Sequence, residues 1–370
     1  MKKRNVFHIC MKIFFYPLIF SLSTDEKKIK VFLDKLFSLI EIASHHQLLY
    51  RYAKEKSADL KQDLHHNIVD TVIVVQGPIR EKDGFSYDLL RRYRHFYPDT
   101  PIVLSSWKKD ESAYLEECCK SLNVDFVGND YPLFSGYGHV NYQLVSTICG
   151  VKFAIDKYHP KYILKTRTDQ VLLHYDFLNH MKNSLSLIPP MGHKLEKRIV
   201  MLGELDNSYY WLPFCVSDFL AFGTAKDIEN LYDIDNQSFE EAQEMKRHSF
   251  LRNDLRAKSN KFEFLRDEGK DECGRLKNKY QRVMFTPINP EMYILMKFHQ
   301  KVIGPLRKEH LIEQYHDLLA RYLFIMDSSQ LMLYWPKYEQ FSYEYRNFCS
   351  GTGKLDHSSW LDLYMKRKEQ

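Results

Sequence analysis

Residues 71–76 read TVIVVQ and lead directly into Gly77-Pro78. A short, unbroken run of mainly β-branched residues that ends in a turn dipeptide is typical of a strand buried on both faces, as in a parallel sheet. Helical periodicity follows over 85–97, and a second apolar run follows over 101–106. The stretch therefore predicts the first strand of a series in which strands and helices alternate.

The alternation continues along the chain. Further helices are predicted over 112–122, 141–158 and 225–232, and further strands over 124–127, 162–166, 199–202 and 218–223. Strands that alternate with helices of these lengths form βαβ units. We therefore expect an α/β fold with a mostly parallel central sheet flanked by helices, an N-terminal helical segment and helical C-terminal additions.

Composition divides the chain into four segments. They are an apolar and amphipathic helical segment at 1–66, the α/β core at 67–237, a charged helical insertion at 238–283 and an aromatic-rich helical region at 284–370 that completes the domain. Helical patterns in the last segment cover 291–303 and 308–326.

The first 23 residues combine a basic start with an apolar run. His8, Lys12 and Pro17 interrupt that run, which makes it a poor membrane span. A signal peptide is conceivable from the basic start, but no A-x-A cleavage pattern follows the apolar run. The favoured interpretation is a helix that lies at a membrane interface or docks on the protein itself.

Composition excludes several classes of protein. The 370 residues carry a net charge of +5, too small an excess for a dedicated nucleic-acid binder, and no nucleic-acid motif occurs. The seven cysteines are scattered and include no C-x-x-C pair, which argues against a zinc ribbon and favours a reducing compartment.

Two predicted strands end in residues suited to ligand chemistry. The first ends in Gln76-Gly77-Pro78, and the fourth carries Lys165, Arg167 and Asp169 at alternate positions. In open parallel sheets ligands bind beyond the carboxyl ends of strands. Two cations beside one carboxylate suit a diphosphate with Mn²⁺ or Mg²⁺ held by Asp169. A salt-bridge cluster that closes the strand explains the same pattern equally well.

Two further clusters are candidates for the same site. Asn141, Gln143 and Thr147 lie in the first two turns of the long helix, where an N-cap followed by packing residues is the simpler interpretation. Ser217 and Asp218 lie among apolar residues. A buried Asp218 suits a general base, and a backbone cap is the alternative. Neither a dinucleotide fingerprint nor a P-loop is present.

Taken in order, these motifs resemble the WavE lipopolysaccharide-synthesis family over about residues 69–235. The motifs that carry the resemblance are Val75-Gln76-Gly77-Pro78, Tyr97-Pro98, the strand end at Trp107, Asn141-x-Gln143-x-x-Ser146-Thr147-x-x-Gly150, Leu164-Lys165-Thr166-Arg167-Thr168-Asp169 and Val216-Ser217-Asp218-Phe219-Leu220-Ala221-Phe222-Gly223.

The resemblance implies a GT-A-like glycosyltransferase of bacterial surface-polysaccharide assembly, with residues 67–237 binding the nucleotide-sugar. Arg167-Thr168-Asp169 then stands where such enzymes carry a D-x-D metal motif, with one carboxylate in place of two. The implied catalytic residues are Asp218, Asp169 and Arg167, and the implied binding residues are Gln76, Gly77, Pro78, Asn141, Gln143, Thr147, Lys165 and Ser217.

The resemblance also implies a lipid-linked saccharide acceptor and a cytoplasmic location, peripheral at the inner face of the inner membrane. Two alternatives stay open. One is a nucleotidyltransferase or phosphotransferase that uses the same crevice. The other is a non-catalytic GT-A-like scaffold of a polysaccharide-assembly complex.

Overall fold

The computed structural model describes most of the chain beyond residue 67. The described residues are 68–80, 84–203, 212–248, 286–287, 289–335 and 354–369. They all fall within one compact unit of the chain. The predicted N-terminal helical segment at 1–66 and most of the charged insertion at 238–283 lie outside the described residues.

Within the described residues, seven strands form the central sheet in the order β3-β2-β1-β4-β7-β6-β8. Their bounds are β1 Thr71–Gln76, β2 Ile102–Trp107, β3 Val124–Asn129, β4 Tyr162–Arg167, β6 Ile199–Leu202, β7 Ser217–Thr224 and β8 Leu323–Met326. β7 runs antiparallel to β4 and β6, and every other pair in the sheet is parallel. This confirms the predicted α/β fold with a mostly parallel sheet.

Helices flank the sheet. They are α1 Phe85–Phe96, α2 Ala113–Ser121, α3 Val140–Tyr158, α4 Phe177–Leu187, α5 Ala225–Tyr232, α6 Phe239–His248, α7 Pro290–Phe298, α8 Leu311–Tyr322 and α9 His357–Lys368. Two short strands, β5 Val171–Leu172 and β9 Leu333–Tyr334, pair antiparallel in a separate small sheet. None of the described helices combines the length and apolarity needed to cross a bilayer.

The long helix α3 packs against the centre of the sheet because a glycine lets it come close. A Cβ added at Gly150 would lie 2.7 Å from the Cβ of Ser105 and 2.8 Å from Cγ1 of Val74. A larger side chain would therefore push the helix away from β1 and β2. All six residues of β1 are buried beneath this layer.

The C-terminal region differs from its prediction in one element. The helical pattern over 308–326 includes a true helix that ends at Tyr322, but Leu323–Met326 form β8 and pair with β6. All four residues of β8 are buried, and Arg198 donates from Nη1 to the Leu323 carbonyl at 2.8 Å. A short apolar run is compatible with either a helix or a strand. Here the residues form a strand because they pair with β6.

The strand order reverses direction beside β1. β2 and β3 lie on one side of β1, and β4 lies on the other. A reversal of this kind opens a crevice at the carboxyl ends of the two central strands, where ligands of open α/β sheets bind. The fold therefore places the ends of β1 and β4, with Gly77 and Arg167, at that crevice.

Candidate functional site

The end of β1 makes a close contact with the end of β4. Gly77 has a φ of +121°, which side-chain-bearing residues rarely adopt, and a Cβ there would lie 2.9 Å from Oγ1 of Thr168. Thr168 in turn donates from Oγ1 to the Pro78 carbonyl at 2.7 Å and from its backbone N–H to the Gln76 carbonyl at 3.0 Å. Only glycine at position 77 allows this close contact between the ends of β1 and β4, which we call the crevice floor.

Arg167 and Asp169 form a two-point ion pair just beyond this floor. The Arg167 Nε lies 2.8 Å from Oδ1 of Asp169, and Nη2 lies 3.0 Å from Oδ2. β4 ends at Arg167, and residues 168–169 turn, so the carboxylate folds back onto the arginine. The alternation predicted for Lys165, Arg167 and Asp169 therefore stops at Arg167.

Two aromatic rings hold the Arg167 guanidinium in place. Its Cζ lies 5.4 Å from the centre of the Phe219 ring and 5.6 Å from that of Trp335. The Arg167 side chain is 22% exposed, and that of Asp169 is 17% exposed. The centres of these two rings are only 4.3 Å apart, so both lie on the same side of the guanidinium. A planar cation packed on aromatic rings and open to solvent on part of its surface suits the binding of an oxyanion.

Lys165 does not reach the crevice. Its side chain is fully buried, its Nζ donates to the backbone carbonyl of Asp218 at 2.6 Å, and it lies 5.4 Å from the centre of the Tyr232 ring. Burial lowers the pKa of Lys165 to about 7, an effect that the Asp218 carboxylate opposes. The predicted diphosphate contact of Lys165 is therefore replaced here by a contact with the β7 backbone.

Asp218 is the second residue of β7 and is only 2% exposed. Its Oδ2 accepts a hydrogen bond from Nε2 of Gln143, in the first turn of α3. The alternative, in which Asp218 or Ser217 caps a backbone turn, stays a prediction. A buried carboxylate held by one amide has the arrangement expected of an oriented proton acceptor. Ser217 beside it is fully buried.

The neighbouring Asn141 joins two loops. It is not the N-cap, because α3 begins at Val140. Its Nδ2 donates to the carbonyls of Phe134 and Gln237 at 3.1 and 2.9 Å, and its Oδ1 accepts from the Gln237 backbone N–H at 2.6 Å. These contacts use the whole amide to hold the backbone around it.

Gln76 and Thr147 are also enclosed. Gln76 is 3% exposed, and its Oε1 accepts from the Ser146 hydroxyl at 2.9 Å. Thr147 is fully buried, and no hydrogen-bond partner satisfies its Oγ1 among the described residues. A role for either residue in ligand binding stays a prediction.

Sequence reasoning missed the residues that hold the segment leading to Asp218. Phe214 has a φ of +59°, a strained value for an aromatic residue. The centre of its ring lies 5.4 Å from that of His299 and 5.5 Å from that of Tyr315. Asn289 donates from Nδ2 to Sγ of Cys215 at 3.1 Å. These partners lie some 75 to 100 residues away along the chain, so no local sequence pattern predicts their contacts with Phe214 and Cys215.

The described residues do not form a metal-binding cluster. No group of three or more His, Cys, Asp or Glu side chains is found among them in an arrangement that could hold an ion. Asp169, the predicted metal ligand, directs both carboxylate oxygens to Arg167. As arranged, these residues do not fit a resident cation, and Asp169 as a ligand stays a prediction.

The structure thus brings some predicted residues together and leaves others apart. Thr168 contacts Gly77 and Pro78, and its two neighbours in the chain, Arg167 and Asp169, form an ion pair, so these predicted residues lie at the ends of β1 and β4. Gln143 donates to the Asp218 carboxylate, and Lys165 donates to the backbone carbonyl of Asp218.

Three solved structures show weak likeness to the chain. The crystal structure of HddC from Yersinia pseudotuberculosis is 17% identical, covers 47% of this chain and 84% of its own, and has a TM-score of 0.30. A cytidylyltransferase from Leptospira borgpetersenii is 12% identical, with 64% and 95% covered and a TM-score of 0.29. Mannosyltransferase PcManGT from Pyrobaculum calidifontis, in complex with GDP-Man and Mn²⁺, is 12% identical, with 91% and 99% covered and a TM-score of 0.31. Likenesses with TM-scores this low carry no argument about reaction or substrate.

Sequence comparison is more informative. No curated protein matches the chain. The family model described as WavE lipopolysaccharide synthesis matches residues 71–265, which is more than half of the chain. That range includes β1, β4 and β7 and every candidate residue of the crevice. The chain therefore belongs to the WavE family of lipopolysaccharide synthesis.

Proposed function

We propose that this protein is a glycosyltransferase of the GT-A type that moves a sugar from a nucleoside-diphosphate donor to an acceptor hydroxyl in lipopolysaccharide or other surface-polysaccharide biosynthesis. One observation carries the proposal. In a chain of a lipopolysaccharide-synthesis family, a part-exposed arginine ends β4, and a buried, oriented carboxylate begins the neighbouring β7.

Arg167 is the group that we assign to the leaving diphosphate. Departure of a nucleoside diphosphate from the anomeric carbon leaves negative charge on the β-phosphate oxygens, and a guanidinium stabilises such charge through paired hydrogen bonds. Its bond to Asp169 keeps the guanidinium oriented before the donor arrives. The rings of Phe219 and Trp335 restrict its movement while it serves the phosphates.

Asp218 is the group that we assign to the acceptor in an inverting reaction. The acceptor oxygen attacks the anomeric carbon, the bond from that carbon to the diphosphate breaks with its electron pair, and Asp218 takes the hydroxyl proton. Gln143 holds Oδ2 of Asp218 and so fixes the direction in which the carboxylate accepts. Correct orientation of the attacking hydroxyl is itself a large part of such catalysis.

A divalent cation is part of the proposal only through Asp169. The mannosyltransferase named above is described with Mn²⁺. In this chain a cation at Asp169 would have to replace Arg167, and the described residues form no group of three or more His, Cys, Asp or Glu side chains that could hold it. We therefore assign the charge of the leaving diphosphate to Arg167, and the need for a cation is tested with EDTA.

The test is a panel of nucleotide-sugars added to the purified protein, each with Mn²⁺ and with EDTA, and read by thermal shift. A ligand that binds the folded state raises the melting temperature. We expect one nucleotide series to do so. Loss of the shift in EDTA and in Asp169→Asn would assign Asp169 to a metal, whereas a shift that survives EDTA would assign the diphosphate to Arg167.

Product analysis then separates the reaction classes. Free nucleoside diphosphate together with a glycosylated acceptor fits only the glycosyltransferase. Transfer of a nucleotidyl or phosphoryl group would show the alternative enzyme, and no binding of any donor would favour the scaffold. Asp218→Asn should lower turnover at least a hundredfold with donor binding kept. Asp362→Asn, in an exposed ion pair with Lys366, is the matched control.

The acceptor that we propose is a lipid-linked saccharide, reached from the cytoplasmic face of the inner membrane. Membrane attachment is assigned to residues 1–23, which lie outside the described residues. The full chain should sediment with vesicles that contain anionic lipid, and a chain that lacks these residues should not. Equal partition of both forms would end this part of the proposal.

A further inference from the structure

Three aromatic rings lie together near the carboxyl ends of β2 and β3. Trp107 is the last residue of β2, and Tyr131 follows β3. Their rings stack with centroids 4.1 Å apart and planes 15° apart. Tyr142, in the first turn of α3, meets them edge-on at 5.4 and 5.0 Å. We call these three residues the aromatic shelf.

One ring of the aromatic shelf is exposed to solvent. Trp107 is the buried member of the stack, with 3% of its surface exposed, and Tyr131 is the exposed member, with 36%. The ammonium of Lys109 lies 4.6 Å from the centre of the Tyr131 ring. Lys109 is itself exposed, and a cation–π contact at an exposed site is weak. A flat ligand that stacks on this face of Tyr131 would have to displace the Lys109 ammonium.

Asp110 follows Trp107 of the aromatic shelf by three residues in the chain. Its Oδ2 accepts from the Ser106 hydroxyl at 2.6 Å and from the Ile79 backbone N–H at 3.3 Å. No described residue donates a hydrogen bond to its Oδ1. The carboxylate is thus fixed by one oxygen while the other is available to a hydroxyl group of a ligand.

The spacing between the aromatic shelf and Asp218 suits a nucleoside diphosphate. Trp107 lies on β2 and Asp218 on β7, which are three strand positions apart in the order β2-β1-β4-β7. Adjacent strands lie about 4.8 Å apart, so the separation across the sheet is roughly 14 Å. Arg167 on β4 lies between them, where the diphosphate of an extended donor would pass.

We propose that the aromatic shelf and Asp110 form the nucleoside subsite of this protein. The base of the donor stacks on Tyr131, and Oδ1 of Asp110 accepts a hydrogen bond from a ribose hydroxyl. Stacking on an aromatic ring is available to every base because each has a π-face, so the carboxylate supplies the recognition of the sugar. This inference rests on the proposed function, because it names the part of the donor that the crevice holds.

The experiment compares the two halves of the donor. UDP, GDP, CDP and ADP are titrated into wild-type protein and variants by calorimetry, and inorganic pyrophosphate is titrated as a probe without a nucleoside. Tyr131→Ala and Asp110→Asn should each weaken the preferred diphosphate about tenfold, equivalent to about 1.4 kcal/mol, and leave pyrophosphate binding unchanged. Tyr114→Ala, which removes an exposed ring packed on Tyr87, is the matched control.

Tryptophan fluorescence gives a second readout that does not depend on turnover. Nucleotide binding should change the emission of wild-type protein, and Trp107→Phe should remove most of that change. Equal nucleotide affinity in Tyr131→Ala, Asp110→Asn and wild type would overturn the subsite while the proposed function stands. If no nucleotide binds to the wild type, the proposed function itself fails, so the two failures are distinguishable. Unliganded melting temperatures verify that each variant is folded.

Discussion

Gly77→Ala is the perturbation that tests the crevice floor most directly. The backbone at Gly77 has a φ of +121°, and an added Cβ would meet Oγ1 of Thr168 at 2.9 Å. A side chain in such a conformation costs about 1–3 kcal/mol. Displacing the Thr168 hydroxyl from the Pro78 carbonyl, to which it donates at 2.7 Å, adds about 0.5–1.5 kcal/mol. The expected loss in the free energy of unfolding is therefore about 2–4 kcal/mol.

Gly84→Ala separates backbone strain from the steric contact. Gly84 also has a positive φ, +66°, but a Cβ there would meet no atom of the described residues within 4 Å. Its expected loss is about 1–2 kcal/mol, the cost of a left-handed conformation alone. In addition, Gly77→Ala combined with Thr168→Ala should be less destabilising than the sum of the two single changes, by about 0.5–1.5 kcal/mol, because the atom that clashes is gone.

Urea unfolding and thermal melting measure these differences. At about 2–4 °C per kcal/mol for a domain of this size, Gly77→Ala should lower the melting temperature by roughly 4–16 °C. A Gly77→Ala protein no less stable than Gly84→Ala would refute the reasoning. So would strict additivity with Thr168→Ala, because it would mean that the methyl group and the hydroxyl do not meet.

Two further predictions concern pH. Burial lowers the folded-state pKa of Lys165 to about 7. Between pH 7 and 10.5 the unfolded chain therefore binds more protons than the folded chain. The free energy of unfolding should then rise with pH, by up to about 1.4 kcal/mol per pH unit. Urea titrations at pH 7 and 9 should show this rise in the wild type and not in Lys165→Met; an equal rise in both would contradict it. Hydrogen bonds from Lys152 and Lys301 lower the pKa of Asp233 to about 2, so its stabilising contribution should be lost as pH falls from about 4 through 2. Asp233→Asn should therefore flatten the acid dependence of the melting temperature, and an unchanged profile would exclude the effect.

The candidate site joins a rigid support to a small reactive surface. Asn141, Gln76 and Ser146 use their polar groups inside the protein, where they hold the first turns of α3 and the end of β1. Arg167 and Asp218 remain as the groups suited to phosphate and proton chemistry. A site whose supporting hydrogen bonds are internal is preorganised, which lowers the reorganisation needed when ligand binds.

The sequence by itself determined the elements of the α/β core. Short apolar runs and helical periodicity depend on neighbours two to four positions apart, so β1, β6 and α5 could be predicted at or near their bounds. The same local reasoning placed ligand chemistry at the ends of β1 and β4, because parallel strands share one carboxyl edge. It also identified Asp218 as a carboxylate in an apolar setting.

Only the tertiary structure decided what each polar side chain contacts. Lys165 and Arg167 look equivalent in sequence, yet one is buried against the Asp218 backbone and the other is part-exposed beside two aromatic rings. The strand β8 and the contact of Gln143 with Asp218 depend on partners about 75 to 125 residues away. Burial and long-range pairing are properties of the packed chain, and they determine which charges remain available to a ligand.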